Sequence, residues 1–333
     1  MINSPKLYDV TLRDGNHALR HTLTSKFVQE YCKSADSSGV WAVEVGHGNG
    51  LGASSHLVGK STESDHDLLE AARENLKGTK LAVHSIPGFA TIKRDIKPAI
   101  SIGVDIFRIA THVTEADVSQ KHIEYLADLG IDVQGVLMMS HMIDLAGLVK
   151  QVSLMKQYGA KTVILMDSAG FFTPSEVSHR ISAIKSELEI EIGFHAHNNL
   201  GLGVGNALAA ISEGAAVIDG ASMGLGAGAG NAQLENIVAA GSREQKIESE
   251  IFRFLEMSKL VETSYPDRLP RTTSSSTQSG LAGVFSGYAP QVQAISDELG
   301  LDSHTLWREM ANRKLVAGQE SMIREIAQDL MNL

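Results

Sequence analysis

The feature that most constrains the fold is an alternation of short apolar segments with longer amphipathic ones, repeated eight times before residue 241. Most of the short segments are apolar almost throughout, as parallel strands are when helices cover both faces of their sheet. This alternation predicts parallel βα units, and eight of them in this length favour a closed (β/α)8 TIM barrel of the α/β class. The predicted strands are residues 8–12, 42–46, 80–85, 106–110, 133–139, 162–166, 191–194 and 217–221.

Capping residues mark several helix starts in the same part of the chain. Thr24, Asp144 and Thr173 each stand where a side-chain oxygen can accept a hydrogen bond from the first turn of a helix. Glu176 lies three residues after Thr173, which is the spacing of a capping box. These signals predict helices that begin directly after the three capping residues.

The alternative architecture, an open doubly wound sheet, should carry a nucleotide-binding fingerprint after its first strand. The first loop instead reads RDGNH at residues 13–17. A glycine-rich run, GLGAGAGN, follows the eighth strand at residues 224–231, but it lacks the lysine and serine of a phosphate-binding P-loop. In a barrel this run would bring backbone close to the active site, which is the interpretation we favour.

The pattern changes after residue 241, and the sequence therefore predicts two regions. Residues 1–241 should form the catalytic barrel domain, and residues 242–333 a small helical C-terminal region. Residues 272–279 are predicted as a polar loop within that second region. We expect the helical region to pack on the open end of the barrel or to serve in assembly.

Composition narrows the class of function. The formal net charge of −10 leaves no basic surface for displacing counterions from nucleic acid. The single cysteine, Cys32, excludes an internal disulfide and a thiolate metal site. No basic-then-apolar leader begins the chain and no apolar run is long enough to span a bilayer, so we expect a cytoplasmic protein without a membrane partner.

The ends of the first and seventh strands carry residues suited to a metal site. Arg13, Asp14 and His17 fall within five positions at the end of strand one, and His195 and His197 close strand seven. Residues two apart in a strand point the same way, so the two imidazoles can aim at one point. Two imidazoles and the Asp14 carboxylate make a suitable triad for a divalent cation, with positions left open for substrate.

Further polar residues stand at other predicted strand ends, and in a TIM barrel these ends meet at the rim that holds the active site. Each residue alone could be structural, and their convergence on one rim is what favours a functional interpretation. They are Glu44, His47, His84, Ser85, Asp167 and Ser168.

Motifs along nearly the whole chain resemble those of the 4-hydroxy-2-oxovalerate aldolases, metal-dependent lyase barrels related to hydroxymethylglutaryl-CoA lyase and isopropylmalate synthase. Together the motifs are specific to that family, whereas the histidine strand alone indicates only the wider group. They are TLRDGNHALRH (11–21), VEVGHGNG (43–50), ATHVTEADVS (110–119), LMMSHM (137–142), DSAG (167–170), HAHNNLGLGV (195–204), GLGAGAGN (224–231) and VAGQESMI (316–323).

The resemblance implies a class II, metal-dependent pyruvate aldolase that cleaves a 4-hydroxy-2-oxoacid to pyruvate and an aldehyde, or forms it from them. It further implies that Asp14, His195 and His197 are the metal ligands. Mn²⁺ is the metal that the family prefers, with Mg²⁺ and Co²⁺ as alternatives. Family membership would also place the protein in the catabolism of aromatic hydrocarbons.

The same resemblance assigns roles to the remaining residues of the rim. Arg13 would neutralise the charge of the pyruvate enolate, and His17 would be the base that takes the proton of the 4-hydroxyl group. Glu44 and Asn231 would orient the metal ligands. Substrate would contact Arg13, Asp14, Ser168 and His195.

The chain departs from the family pattern where the aldehyde is bound. The family has two leucines at the end of strand three, and this chain has His84 and Ser85. The family tyrosine of the C-terminal region is replaced by Phe285, with Tyr288 nearby but not equivalent, and the second loop reads HGNG instead of HGDG. We therefore expect an aldehyde more polar than acetaldehyde, contacted by only one of His84 and Ser85 because neighbouring strand residues face opposite ways.

Two alternatives of other classes remain at this stage. One is a metal-dependent enzyme of the isopropylmalate synthase type that condenses an acyl-CoA with a 2-oxoacid. The placement of His17 on the first loop favours the aldolase over this alternative. The other is a non-catalytic scaffold, and the intact metal triad together with Arg13 and His17 argues against it. The resemblance also implies an oligomer and an acylating aldehyde dehydrogenase partner that accepts the aldehyde.

Overall fold

Eight parallel strands close into a barrel in the computed structural model, which describes residues 4–316 and 318–332. Each strand pairs with the next in sequence, and β8 pairs with β1 to complete the ring. The predicted TIM barrel is thus confirmed. The strands are β1 (Lys6–Asp9), β2 (Ala42–Glu44), β3 (Lys80–Ser85), β4 (Ile106–His112), β5 (Asp132–Met138), β6 (Thr162–Asp167), β7 (Glu191–Ala196) and β8 (Val217–Gly220).

Helices follow the strands and begin where the capping signals predict. Thr24 accepts a hydrogen bond from the backbone N–H of Phe27, and Asp144 accepts one from that of Gly147. No helix within the described residues is long and apolar enough to cross a bilayer. The α-helices are α1 (Gly15–Ala18), α2 (Ser25–Asp36), α3 (Asp65–Asn75), α4 (Lys97–Ile102), α5 (Gln120–Asp128), α6 (Leu145–Tyr158), α7 (Pro174–Glu187), α8 (Gly203–Ser212), α9 (Leu234–Arg243), α10 (Ile251–Ser264), α11 (Ser274–Ala282), α12 (Ala289–Leu299), α13 (Ser303–Asn312) and α14 (Glu320–Met331).

Strand residues alternate between the interior of the barrel and the layer beneath the helices. On β3, Ala82 belongs to the interior cluster, whereas Leu81 and Val83 belong to the large cluster between strands and helices. This alternation decides which polar side chains at the strand ends enter the barrel and which face the helices.

The first strand is shorter than predicted. It ends at Asp9, whereas the sequence predicts a strand to Leu12. The Asp9 carboxylate accepts a hydrogen bond from the backbone N–H of Thr11, and the Val10 carbonyl then accepts from Arg13 and Asp14. These bonds turn the chain before residue 12, because an aspartate side chain can satisfy the backbone in place of a neighbouring strand. Arg13 and Asp14 therefore lie in a turn that enters α1.

A second hydrophobic core lies in the C-terminal part of the chain, where Trp307, Leu306 and Ile326 pack together from α13 and α14. Residues 272–279 were predicted as loop, but α11 begins at Ser274, where the Thr273 hydroxyl accepts from the Ser276 N–H and caps the helix. Helix α10 contributes Phe254 and Val261 to the barrel core.

The division of the chain at residues 241 and 242 stays a prediction. Its outer limits, residues 1 and 333, lie outside the described residues, as does Ala317 of the last motif.

Candidate metal centre and active site

Asp14, His195 and His197 meet at the rim formed by the carboxyl ends of the strands. One potential ligand atom from each residue lies within 4.8 Å of the others, and all three residues are buried. His195 is in β7, His197 follows its end, and their ring centroids are 5.1 Å apart. The structure thus brings together the three residues that the sequence proposes as ligands.

The ring of His195 is held by a carboxylate. Its Nδ1 atom lies 3.0 Å from Asp219 Oδ2, and its Nε2 atom is buried without a hydrogen-bond partner among the described residues. Because a carboxylate accepts the proton on Nδ1, the tautomer with a free lone pair on Nε2 is favoured. That lone pair is the one a metal would use.

Asp14 is held by three donors. Arg13 Nη1 donates to Oδ1 at 2.9 Å, while Asn231 Nδ2 and the Ala227 backbone N–H donate to Oδ2 at 2.8 and 3.3 Å. Burial alone would raise the pKa of Asp14, but the Arg13 guanidinium, together with His197, holds it well below the usual value. The carboxylate is therefore ionised, and its oxygens retain lone pairs for a cation.

The donor set fits a divalent cation. His197 Nδ1 is buried without a partner among the described residues, as is His195 Nε2. Burial lowers the pKa of His197 to about 4, so its imidazole is uncharged at neutral pH and can ligate. Buried polar atoms usually have partners, so unpartnered nitrogens on two histidines clustered with an ionised carboxylate fit a site for a divalent cation.

Arg13 reaches from the turn after β1 into the same site. Its Nε donates to Glu44 Oε1 at 2.5 Å, and its Nη1 also donates to the Gly48 carbonyl at 3.1 Å. Its Nη2 is buried and has no partner among the described residues. Two of the three guanidinium nitrogens thus fix the group, and the third remains available to an anionic substrate.

His17 lies on α1 against the loop that follows β2. A Cβ atom on Gly48 would come within 2.6 Å of its ring, so only glycine allows this contact. The ring meets His21 edge-on at 5.3 Å, and His21 stacks on His47 at 3.7 Å. Burial lowers the pKa of His17 to about 4, which leaves an uncharged imidazole that can accept a proton.

The other predicted rim residues differ in placement. Ser168 is buried, and its hydroxyl accepts a hydrogen bond from the Met139 N–H at 3.1 Å. His84 pairs in register with Arg108 of the barrel interior, whereas Ser85 pairs with Ile109 of the outer layer. Only His84 therefore enters the barrel.

Two other predicted residues have their side-chain oxygens bonded to backbone groups outside the metal cluster. Asp167 accepts from the backbone N–H groups of Phe171 and Phe172 and so shapes the turn after β6. Tyr288 donates its hydroxyl proton to the Val316 carbonyl, and its ring belongs to the second core.

Sequence reasoning missed a buried polar network beneath the rim. Arg108 donates to both carboxylate oxygens of Asp219, at 2.6 and 2.9 Å, and to Gln134 at 2.9 Å. Its guanidinium lies 3.3 Å above the Tyr8 ring, and Tyr8 donates to Glu44 at 2.8 Å. Removing one partner of such a buried pair costs about 3–5 kcal/mol. The available signal was a charged residue inside each of two otherwise apolar strands.

The glycine-rich run after β8 lies against Asp14. A Cβ atom on Gly226 would lie 2.6 Å from Asp14 Oδ2 and 2.2 Å from Asn231 Nδ2. The favoured interpretation, close approach of backbone beside the site, agrees with this geometry.

Gly226→Ala should therefore push Asp14 and Asn231 out of place. Since residues that orient metal ligands typically contribute 10- to 100-fold to affinity, we expect Mn²⁺ to bind about tenfold more weakly or worse. Calorimetric titration measures this, with Gly205→Ala in α8 as the control, because the nearest atom to its added Cβ lies 3.9 Å away. Equal affinities in the two variants would contradict the close approach at Gly226.

Comparison with known proteins shows which family this chain belongs to. Residues 4–264 match the family model described as HMGL-like, and residues 270–332 match the one described as a DmpG-like communication domain. The chain is similar to a 4-hydroxy-2-oxovalerate aldolase of Spirochaeta aurantia, with 47% identity covering 97% of this chain and 95% of the relative. A protein of the same name from Pectobacterium atrosepticum is 46% identical over 97% of this chain and 95% of its own length.

Among solved structures, the carboxyl transferase domain of Rhizobium etli pyruvate carboxylase, determined with pyruvate, superimposes with a TM-score of 0.83. It shares 16% identity and covers 99% of this chain and 60% of that one. At this identity the likeness concerns the barrel fold alone.

Proposed function

This chain belongs to the 4-hydroxy-2-oxovalerate aldolase family, and on that premise we propose that it cleaves 4-hydroxy-2-oxoacids reversibly into pyruvate and an aldehyde. The observation that carries the proposal is the buried cluster of Asp14, His195 and His197 with the unpartnered Nη2 of Arg13 beside it. The aldolase relatives favour this carbon–carbon lyase over the acyl-CoA condensing enzyme.

Asp14, His195 and His197 would hold the divalent metal, which we propose to be Mn²⁺, with Mg²⁺ and Co²⁺ as alternatives. The metal supplies a Lewis acid that polarises the 2-oxo group. Asp219 accepts the proton on His195 Nδ1 at a distance of 3.0 Å. This bond leaves the lone pair on Nε2, the other ring nitrogen, free for the metal. Substrate would also meet Asp14 and His195 at this centre, and Ser168 on the rim.

Arg13 and His17 act on the two halves of the substrate. The Arg13 Nη2 offers positive charge to the oxygen that becomes negative as the carbon–carbon bond breaks. The uncharged His17 accepts the proton of the 4-hydroxyl group, whose oxygen becomes the aldehyde carbonyl. In the synthetic direction His17 returns that proton to the new hydroxyl group.

Metal removal tests the proposal directly. Pyruvate release from 4-hydroxy-2-oxopentanoate should vanish after chelation and return with Mn²⁺, more fully than with Mg²⁺ or Co²⁺. Acetyl-CoA with pyruvate should release no free thiol, because the site is proposed to act on aldehydes. Turnover that persists without metal would overturn the assignment, and thiol release would favour the condensing enzyme.

The match of residues 270–332 to a DmpG-like communication domain supports an acylating aldehyde dehydrogenase as partner. We propose that this region contacts it and that the protein works in an oligomeric assembly. Leu281 at the end of α11 is 65% exposed and belongs to that region. Co-purification with such a dehydrogenase from the same genome, weakened by Leu281→Glu, would support the contact, and an unchanged yield with Leu281→Glu would argue against this surface.

A further inference from the structure

His84 points into the barrel at the level of the metal centre. It lies two residues after Ala82 of the interior cluster, and its register partner Arg108 is also in the interior. The side chain is only 2% exposed, and the charges of Arg13, Glu44 and His195 all act on it. His84 therefore belongs to the wall of the reaction site.

One loop places His84 on the side of the substrate where His17 acts. A Cβ atom on Gly48 would lie 2.6 Å from the ring of His17, and one on Gly50 would lie 3.2 Å from Cδ2 of His84. The backbone of this loop also bonds to β3, because the Leu51 N–H donates to the His84 carbonyl at 2.9 Å. The two imidazoles thus flank the same three-residue stretch of loop.

His84 lacks the partner that a buried imidazole requires. Its Nδ1 is enclosed and makes no hydrogen bond to any residue that the structure describes. Burial lowers the pKa of His84 to about 3, so the ring is uncharged and offers one N–H donor and one lone pair. A hydroxyl group can accept from an N–H or donate to a lone pair, so it can bond whichever of the two an unpartnered ring nitrogen presents, whereas a methyl group can do neither.

We propose that His84 hydrogen-bonds a hydroxyl group carried by the aldehyde half of the substrate, so that the enzyme takes short hydroxyaldehydes and the oxoacids formed from them. This proposal rests on the aldolase function proposed above. In this proposal His84 determines which aldehyde the enzyme prefers. Ser85 has no such role, because it faces the helices.

Glycolaldehyde and propanal test the proposal, since they have the same number of heavy atoms and differ only in a hydroxyl against a methyl group. With pyruvate and Mn²⁺, wild-type kcat/KM should favour glycolaldehyde by about tenfold or more, as expected when a buried polar group is otherwise left unpaired. His84→Leu should abolish or invert that ratio. His84→Gln, which keeps a donor and an acceptor, should retain much of it, and Ser85→Ala should leave it unchanged.

Two further measurements separate the possible failures. Mn²⁺ affinity of His84→Leu should equal that of the wild type, which shows that the metal centre is intact. Proton exchange at the pyruvate methyl group, followed without any aldehyde, reports on the aldolase function alone. If exchange occurs but the two aldehydes are used equally, or if His84→Leu does not alter the preference between them, only the role of His84 is overturned. If neither exchange nor any aldol product is found, the aldolase function itself is overturned.

Discussion

Asp14→Asn is expected to reduce aldol cleavage by about 10³-fold or more, because a charged metal ligand contributes several kcal/mol to stabilising the transition state. The substitution keeps the size of the side chain but removes the ionised oxygen that faces His195 and His197. It also removes one of the two carboxylates paired with Arg13, the one that lies 2.9 Å from its Nη1, and leaves only Glu44. His195→Ala should have a comparable effect by removing an imidazole ligand.

Calorimetric titration with Mn²⁺ and steady-state kinetics measure both variants, and circular dichroism establishes that they fold. Asp128→Asn is the matched control, because Asp128 is exposed at the end of α5 and should tolerate the same chemical change. Wild-type Mn²⁺ affinity in Asp14→Asn would exclude Asp14 as a ligand.

His17→Ala and Arg13→Lys should separate the two halves of the reaction. His17→Ala is expected to slow cleavage by about 10²- to 10⁴-fold, the usual contribution of a general base, while methyl-proton exchange of pyruvate falls much less. Arg13→Lys should slow exchange as well, because one ammonium group cannot bond Glu44 and Asp14 and still present a third nitrogen to the substrate.

Exchange is followed by loss of the pyruvate methyl proton signal in deuterated water, and cleavage by pyruvate release. His56→Ala, at an exposed position, is the control for the loss of an imidazole. If His17→Ala cleaves at the wild-type rate, the base must be sought elsewhere, and His21 would then be the nearest imidazole to consider.

Periodicity was sufficient to predict the barrel and the rim, since eight apolar strands at this spacing leave few alternatives. The convergence of Asp14 with His195 followed from the closure of the barrel, although β1 ends earlier than predicted. The early end of β1 was not predicted because the Asp9 carboxylate, instead of a neighbouring strand, accepts the hydrogen bond from the Thr11 N–H. That bond depends on the local turn, which the apolar pattern does not show.

Long-range pairing explains what the sequence left undetermined. Arg108 and Asp219 are 111 residues apart, and neither strand's sequence indicates which residue its charged side chain pairs with. The choice between His84 and Ser85 likewise needed the register of β3 against β4. Helix α11 was missed because its serines favour loops as well as helix caps, and burial of Ser276 and Ser279 against the barrel decides between them.

The buried network around the rim also sets a charge balance. Asp14, Glu44 and Asp219 have lowered pKa values and carry three negative charges, and Arg13 and Arg108 carry two positive ones, so this group of five side chains is one unit negative. A monoanionic 2-oxoacid would be repelled by it, whereas addition of a doubly charged cation makes the group one unit positive and complementary to that anion. Binding should therefore be ordered, with the cation first and the oxoacid second, and these five side chains with both ligands bound would be electrically neutral.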